Sequence, residues 1–361
     1  MKYEYWLDTA VLSNEKKYAL TNLFDRAENI YRQNEAGYKN LCEKIPGWTK
    51  EDTERLLRSK KEGEPEQMWE ELHRKGIRFV SRQEEYYPSK LKEIANPPYG
   101  IYYIGKLPGE GMSAAIVGAR RCSEYGYYMG KKIAEALAGC GIQIISGMAE
   151  GIDAAGHLGA LQGGGETYGI LGCGVDVCYP KKNQKLYEDL KKNGGVLSEF
   201  LPGTTPKPCF FPMRNRIISG LADLLIVVEA KKKSGALITV DHALEQGREV
   251  YAVPGRATDA LSYGCNYLIR QGAGLILSVE DLLAELETEQ NRKGKNKKIK
   301  KLRLAKEESL VYSCLSVEPK SMEQIIAETS LEISTVAGVL LRLQTRGIIR
   351  ESFRNYYIEE K

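Results

Sequence analysis

The chain has 361 residues, 42% hydrophobic and 28% charged, with a formal net charge of +4, which is enough for two or three domains with a sizeable core. Eight Cys without a regular framework, and a start (Met1-Lys-Tyr-Glu-Tyr-Trp-Leu-Asp8) without an apolar core, argue against a disulfide-stapled secreted protein and for a reducing cytoplasm. No apolar stretch approaches the roughly 18 to 20 residues that cross a bilayer, so no membrane span is expected.

In chain order, residues 1–85 read as a helical domain, with amphipathic stretches at 15–30 and 51–61 flanking the turn Ile45-Pro-Gly-Trp48. A Pro-Gly turn between helices can offer N–H groups to a DNA backbone, but most are plain connectors, and this one is read as structural. Between Phe79 and Gly105, the pieces Tyr86-Tyr-Pro88 and Tyr99-Gly-Ile-Tyr-Tyr-Ile104 predict one or two edge strands, because Pro97-Pro98 is incompatible with a central strand.

From 113 to 286, apolar runs at 114–118, 142–146, 167–171, 195–199, 224–229, 249–253 and 274–278 alternate with helix-like spacing, which predicts a doubly wound parallel α/β sheet. In such sheets ligands sit at the carboxyl ends of the strands, facing backbone N–H groups and helix N-termini. Eighteen Lys or Arg balance eighteen Asp or Glu over this stretch, so an anion site there must come from local geometry. The segment 291–306 holds nine Lys or Arg and no acid and reads as a basic linker, either a tether or a second electrostatic contact. Beyond it, helices starting at Ser321 and Ser334 and strands near 348–351 and 355–358 have the rhythm of a winged helix. Its second helix exposes Arg342 and Arg346, which leaves DNA reading and protein docking both open.

The strand-to-helix corners carry the chemistry. Val117-Gly-Ala-Arg-Arg121 departs from the dinucleotide fingerprint; Gly118 permits close backbone approach, Arg120 offers a planar fork for phosphate, and the helix starting near Ser123 adds its dipole. The bland reading is a surface Arg pair beside a structural glycine. Ser146 and Gly147 can offer hydroxyl and N–H donors, while Asp153 caps its helix and His157 pairs with it; a Ser146/Asp153/His157 triad is disfavoured because no nucleophile elbow is present. Cys173 and Cys178 lack the spacing and partners of a zinc site, whereas Lys181 and Lys182 suit phosphate contact or are simply solvated. Pro206–Leu221 combines prolines, Phe210 and Phe211, and Arg214-Asn215-Arg216. That combination suits a single strand, with phosphates on the arginines and a base on one ring, although either ring could pack into the core. Lys231-Lys-Lys-Ser-Gly235 resembles a P-loop only superficially, and ATP hydrolysis is not expected; Lys233, Ser234 and Gly235 remain phosphate donors at a helix start.

Together, Val117–Arg121, Ser146–Asp153, Tyr179-Pro-Lys181 with Asn183, Phe211–Leu221, Lys233–Thr239, and Gly247-Arg248 through Val253-Pro-Gly255 resemble the DprA (Smf) family. The resemblance implies an extended Rossmann-like domain over 86–289 (core 113–286) that binds single-stranded DNA. It further implies a helical domain like a sterile-alpha-motif over 1–85, the basic linker 290–306 and a winged-helix-like domain over 307–361. Arg120 and Lys181 then look like the main phosphate contacts. Gly118, Ala119, Arg121, Ser146, Gly147, Asn183, Phe211, Arg214, Asn215, Arg216, Lys233, Ser234 and Gly235 complete the site, with Ala119 standing where relatives often have Ser or Thr. Also implied are homodimerisation and the loading of RecA recombinase onto incoming single strands displaced from single-strand-binding protein, with no metal, cofactor or catalytic group. The rival reading is a nucleotide-cleaving Rossmann-type enzyme, but such proteins resemble Pro-Gly-Gly-x-Gly-Thr-x-x-Glu where this chain has Lys232-Lys-Ser-Gly-Ala-Leu-Ile-Thr-Val240, without the glutamate.

Overall fold

The computed structural model of the chain describes residues 1–286, 305–315 and 319–359. Two compact units are present, Met1–Val279 and Glu280–Lys361. The first is built on a nine-stranded sheet: β1 (Arg78–Ser81), β2 (Gly100–Gly105), β3 (Ser113–Val117), β4 (Gln143–Ser146), β5 (Thr167–Ile170), β6 (Gly194–Ser198), β7 (Leu224–Val227), β8 (Glu249–Ala252) and β9 (Gly274–Leu275). The order is β1-β2-β6-β5-β4-β3-β7-β8-β9. The ladders from β6 to β9 are parallel, while β1 and β2 add an antiparallel edge. All seven predicted runs become strands. The continuously apolar ones, such as Leu224–Val227, are fully buried because helices cover both faces of the sheet.

The topology places the site. The chain winds outward from β3 to β6, then returns beside β3 to make β7, so the carboxyl ends of β3 and β7 form a switch point where neighbouring loops diverge and leave a crevice. Helices Glu124–Gly139 and Ile152–Gln162 pack together on one side, and helices Phe210–Leu221 and Gly235–Glu245 on the other. The largest core cluster joins Ala115, Val117, Ile145, Ile170, Leu225 and Val227 to Ile217, Ile218 and Leu221 of the Phe210–Leu221 helix.

The N-terminal residues form short helices around Trp6, Leu20, Ile30, Leu56 and Trp48. Two local expectations need correction. The stretch 15–30 is two helices, Asn14–Phe24 and Ala27–Arg32, because Asp25 adopts φ +70° and breaks the ladder. And the segment read as helical to residue 85 ends in β1, whose Phe79 pairs with Tyr102 of β2. Ile45 and Trp48 are buried, so the Pro-Gly turn packs the helical core. This region is bound to the sheet edge by polar contacts as well: Asp8 accepts from Lys17 Nζ (2.5 Å) and from the Tyr102 hydroxyl (2.6 Å), with all three residues buried. Burial raises the Tyr102 phenol well above its usual value, and the neighbouring Asp8 charge reinforces this.

The second unit contains helices Lys306–Cys314, Met322–Thr329 and Ile333–Thr345 with a small sheet of β10 (Lys320–Ser321), β11 (Ile349–Phe353) and β12 (Tyr356–Glu359) in the order β10-β12-β11, a winged-helix arrangement. Ser321 caps its helix in a reciprocal box with Gln324. Ser334 does not cap the next one: that helix starts a residue earlier, at Ile333, with Glu332 in the cap position and no side-chain cap bond. Nearly all of the basic linker lies outside the described residues. Among the described residues no single helix is long and apolar enough to cross a membrane.

Candidate nucleic-acid interface

A cleft of about 390 Å³ opens at the switch point. Its lining brings together Gly118 and Arg120 after β3, Phe211, Arg214 and Asn215 from the Phe210–Leu221 helix, and Ser234 and Gly235 after β7. A second hollow of about 220 Å³ adjoins it, sharing Arg120, Tyr179, Phe211 and Arg214 and adding Arg121, Gly147 and Pro180. Between the two lies a cluster of rings and a guanidinium. The Arg120 guanidinium lies 5.1 Å from the centroid of Phe211, and the Tyr179 ring lies 5.5 Å from Phe211 at 35°. Arg120 and Arg121 are exposed, as are Lys181 and Lys231–Lys233. A cation over a ring at the mouth of a cleft presents both a phosphate fork and a flat apolar face.

Beneath this layer the polar groups are bound internally. Arg214 is 3% exposed; its Nη1 donates to the carbonyls of Gly147 (2.8 Å) and Ile170, and Asp153 stands beside it. Burial pulls the guanidinium down to about 10 against the opposing pull of Asp153, so it stays charged near neutral pH. Burial likewise raises the Asp153 carboxyl, and Arg214 counters that rise. Gly147 is required here, because a Cβ would lie 2.6 Å from Asp153 Oδ2 and 2.8 Å from an Arg214 Nη. Gly118 is confined in the same way, its Cβ position falling 2.7 Å from Ile152 Cγ1. Asn183 donates to the carbonyl of Met148 (2.9 Å), bracing the β4 loop.

Several expectations change on this geometry. Arg216 does not offer a fork to solvent: it is paired bidentately with Glu199 at 2.7 and 2.6 Å and also donates to the Asn96 carbonyl. Arg214 is a buried brace. The Ser146 hydroxyl faces the neighbouring strand and donates to Ile116 O at 2.6 Å. The dipole of the helix Glu124–Gly139 is not open to a ligand either, because buried Glu229 accepts from both the backbone N–H (2.9 Å) and the hydroxyl of its cap, Ser123. By contrast the helix Gly235–Glu245 begins at the cleft wall, with Ser234 and Gly235 both lining it. Ala119 contributes its carbonyl, which accepts from Ile152 N at 3.2 Å. Lys181 and Lys233 each stand one residue outside the lining, beside Pro180 and Ser234.

His157 does not pair with Asp153. Its Nδ1 lies 2.7 Å from the Thr167 hydroxyl, which itself donates to Ile144 O. The ring is fully buried, and burial, helped by the Arg214 charge, pulls its pKa down to about 3. Ser146, Asp153 and His157 therefore each have separate partners and form no relay. Of the two phenylalanines, Phe211 faces the cleft, while Phe210 stacks on Phe200 at 4.3 Å with Lys207 5.5 Å above its ring. The cleft lining also includes residues outside the predicted site, among them Tyr179, Asp153, Pro208 and Thr239. For Tyr179 a signal was present, an aromatic joined to Pro180 in a corner that also carries Lys181. Thr239, one turn inside the helix Gly235–Glu245, ends the motif Lys233–Thr239.

Comparison with known proteins places the chain in a family. The family model described as "DNA recombination-mediator protein A" matches residues 78–287, and that of the "DprA winged helix domain" matches residues 300–352. The chain is 46% identical over 202 residues to the DNA processing protein DprA of Streptococcus pneumoniae, covering 56% of this chain and 71% of that protein. It is 33% identical over 343 residues to the Protein Smf of Synechocystis, covering 85% of this chain and 86% of that one. The X-ray structure of the S. pneumoniae protein superposes with a TM-score of 0.68 at 35% identity, over 79% of this chain and 98% of that chain. A structure of DNA processing protein A from Helicobacter pylori, described in terms of its single-stranded DNA binding mode, superposes with a TM-score of 0.53 at 26% identity, over 59% of this chain and 96% of that chain. On its fold, its cleft and these matches, the chain belongs to the DprA (Smf) family of DNA-processing proteins.

Proposed function

We propose that this chain is a recombination mediator that grips single-stranded DNA in the switch-point cleft. It shields incoming strands in natural transformation and loads RecA recombinase onto them. In this reading it works in the cytoplasm as a homodimer, on strands displaced from single-strand-binding protein, and catalyses no reaction. The observation that carries the reading is the Arg120–Phe211–Tyr179 cluster at the cleft, with exposed Lys181 and Lys233 each one residue outside its lining. Exposed cations beside an aromatic face match a strand whose bases are free to splay, and both contacts tolerate any sequence. The H. pylori relative, described by its single-stranded DNA binding mode, supports the same ligand.

The test is binding of single-stranded and duplex oligonucleotides at two salt concentrations. Single strands are expected to bind more tightly, with a pronounced salt dependence. Arg120→Glu and Lys181→Glu should weaken binding and flatten the salt slope by about one unit each; unchanged binding in both variants would contradict the assignment. The mediator role is read separately, as faster RecA nucleation on strands coated with single-strand-binding protein. Release of base or ribose from a panel of nucleotides would instead favour the enzyme reading.

A further inference from the structure

The helix Glu124–Gly139 follows directly from the Arg120–Arg121 corner, and its outward face is unusual. Tyr125 and Tyr128 are 53% and 58% exposed, and Lys132 is exposed. The spacing 125, 128, 132 returns to one side of an α-helix, so the two rings and the ammonium form a stripe of about 10 Å whose first ring follows Arg121 by four residues. Among the described residues neither ring meets another aromatic ring or a cation, and neither Arg121 nor Lys132 forms an ion pair. One carboxylate, Glu124, is exposed beside the stripe. Two large apolar rings left in water at the start of a helix contribute nothing to the core, which this helix reaches through Ile133, Ala134 and Leu137 on its opposite side.

We propose that this stripe is a second stacking platform for the same single strand as it leaves the cleft. The inference rests on the cleft reading and extends it. The phosphate backbone crosses from Arg120 to Arg121 and continues toward Lys132, while the bases it carries lie on Tyr125 and Tyr128. The occupant is a single strand because its bases are free to turn onto the rings, whereas the bases of a duplex are already stacked on one another. Charge complementarity and continuity with the cleft mouth both favour it over a protein partner. Stacking on a phenol ring is independent of base identity, so the platform lengthens the footprint without adding sequence preference.

The experiment uses the full chain and oligo(dT) of graded length, from about 4 to about 16 nucleotides. Tyr125→Ala/Tyr128→Ala is expected to lose roughly 10-fold in affinity for the longest oligonucleotides, within the range for loss of base stacking, and nothing for the shortest. Tyr125→Phe/Tyr128→Phe should restore the loss, because the ring face is kept. Lys132→Glu should flatten the salt slope for long strands alone. Equal loss at every length, or no loss at any length, overturns the proposal. Arg120→Glu serves as the comparison, since it should weaken every length. If it weakens none, the cleft reading falls, while the length dependence of the tyrosine variant, measured against the parent chain, still decides the platform.

Discussion

The β3 corner and the helix Phe210–Leu221 each carry two arginines close together in sequence, yet these end in opposite electrostatic states. Arg120 and Arg121 are exposed at the cleft mouth. Arg214 is held by two carbonyls beside the Asp153 charge, and Arg216 is paired with Glu199. The second unit repeats the second outcome, with Arg342 and Arg346 both paired to Glu308 at 3.3 and 3.0 Å, which makes its outer helix a poorer cationic reader than its sequence suggests. A guanidinium is free to bind an external phosphate only where the fold places no acceptor within reach. A bound one instead fixes the loops from which the free ones project.

The most severe way to break this contrast is to remove the brace. Arg214→Met leaves buried Asp153 without the neighbouring positive charge and removes the donor to two buried carbonyls, so unfolding in urea should show a loss of about 3 to 5 kcal/mol. A loss below about 1 kcal/mol would mean that Arg214 is not the anchor described. Arg120→Glu should act on the other side of the contrast, leaving the urea midpoint near the parent value while weakening single-strand binding about 10- to 100-fold at moderate salt.

The adjacent phenylalanines sharpen the comparison further. Phe211→Ala should weaken single-strand binding by about 1 to 2 kcal/mol through loss of a stacking face, whereas Phe210→Ala, which removes the Phe200 contact, should act on stability and leave the affinity of the refolded chain intact. The mildest test uses pH. His157 is neutral in the fold, with its pKa depressed to about 3, and free in the unfolded chain near 6.5. As pH falls from about 6.5 toward 3 the unfolded state takes up a proton that the folded state refuses, so this stabilisation is complete above 6.5 and is lost on acidification. The steepest expected slope is about 1.4 kcal/mol per pH unit. His157→Gln should remove that component, and an unchanged difference between pH 7 and pH 5 would show that the ring is solvated.

Much of the architecture was legible from residue patterns because burial on both faces imposes continuous apolar runs. Leu224–Val227 and Ala114–Val117 could hardly be anything other than central parallel strands. The corners followed, since small residues and cations cluster where such strands end. Strand lengths were less certain: the run read as 274–278 pairs only at Gly274 and Leu275, because pairing depends on a neighbour that the run itself does not specify. The break at Asp25 was hidden for a similar reason, as amphipathic spacing continues through it.

The sequence by itself determined the fold class, the family and the ring of loops at one sheet edge, because periodicity and short motifs are local properties of the chain. Tertiary structure alone decided which charges in that ring are available. Glu229 closes the helix start at Ser123, Glu199 pairs Arg216, and Ile116 O takes the Ser146 hydroxyl. Each of these partners is thirty or more residues away from the group it satisfies, except for the seventeen between Glu199 and Arg216. Electrostatic pairing depends on distance in space, and a linear sequence does not encode that distance until the strands have taken their order.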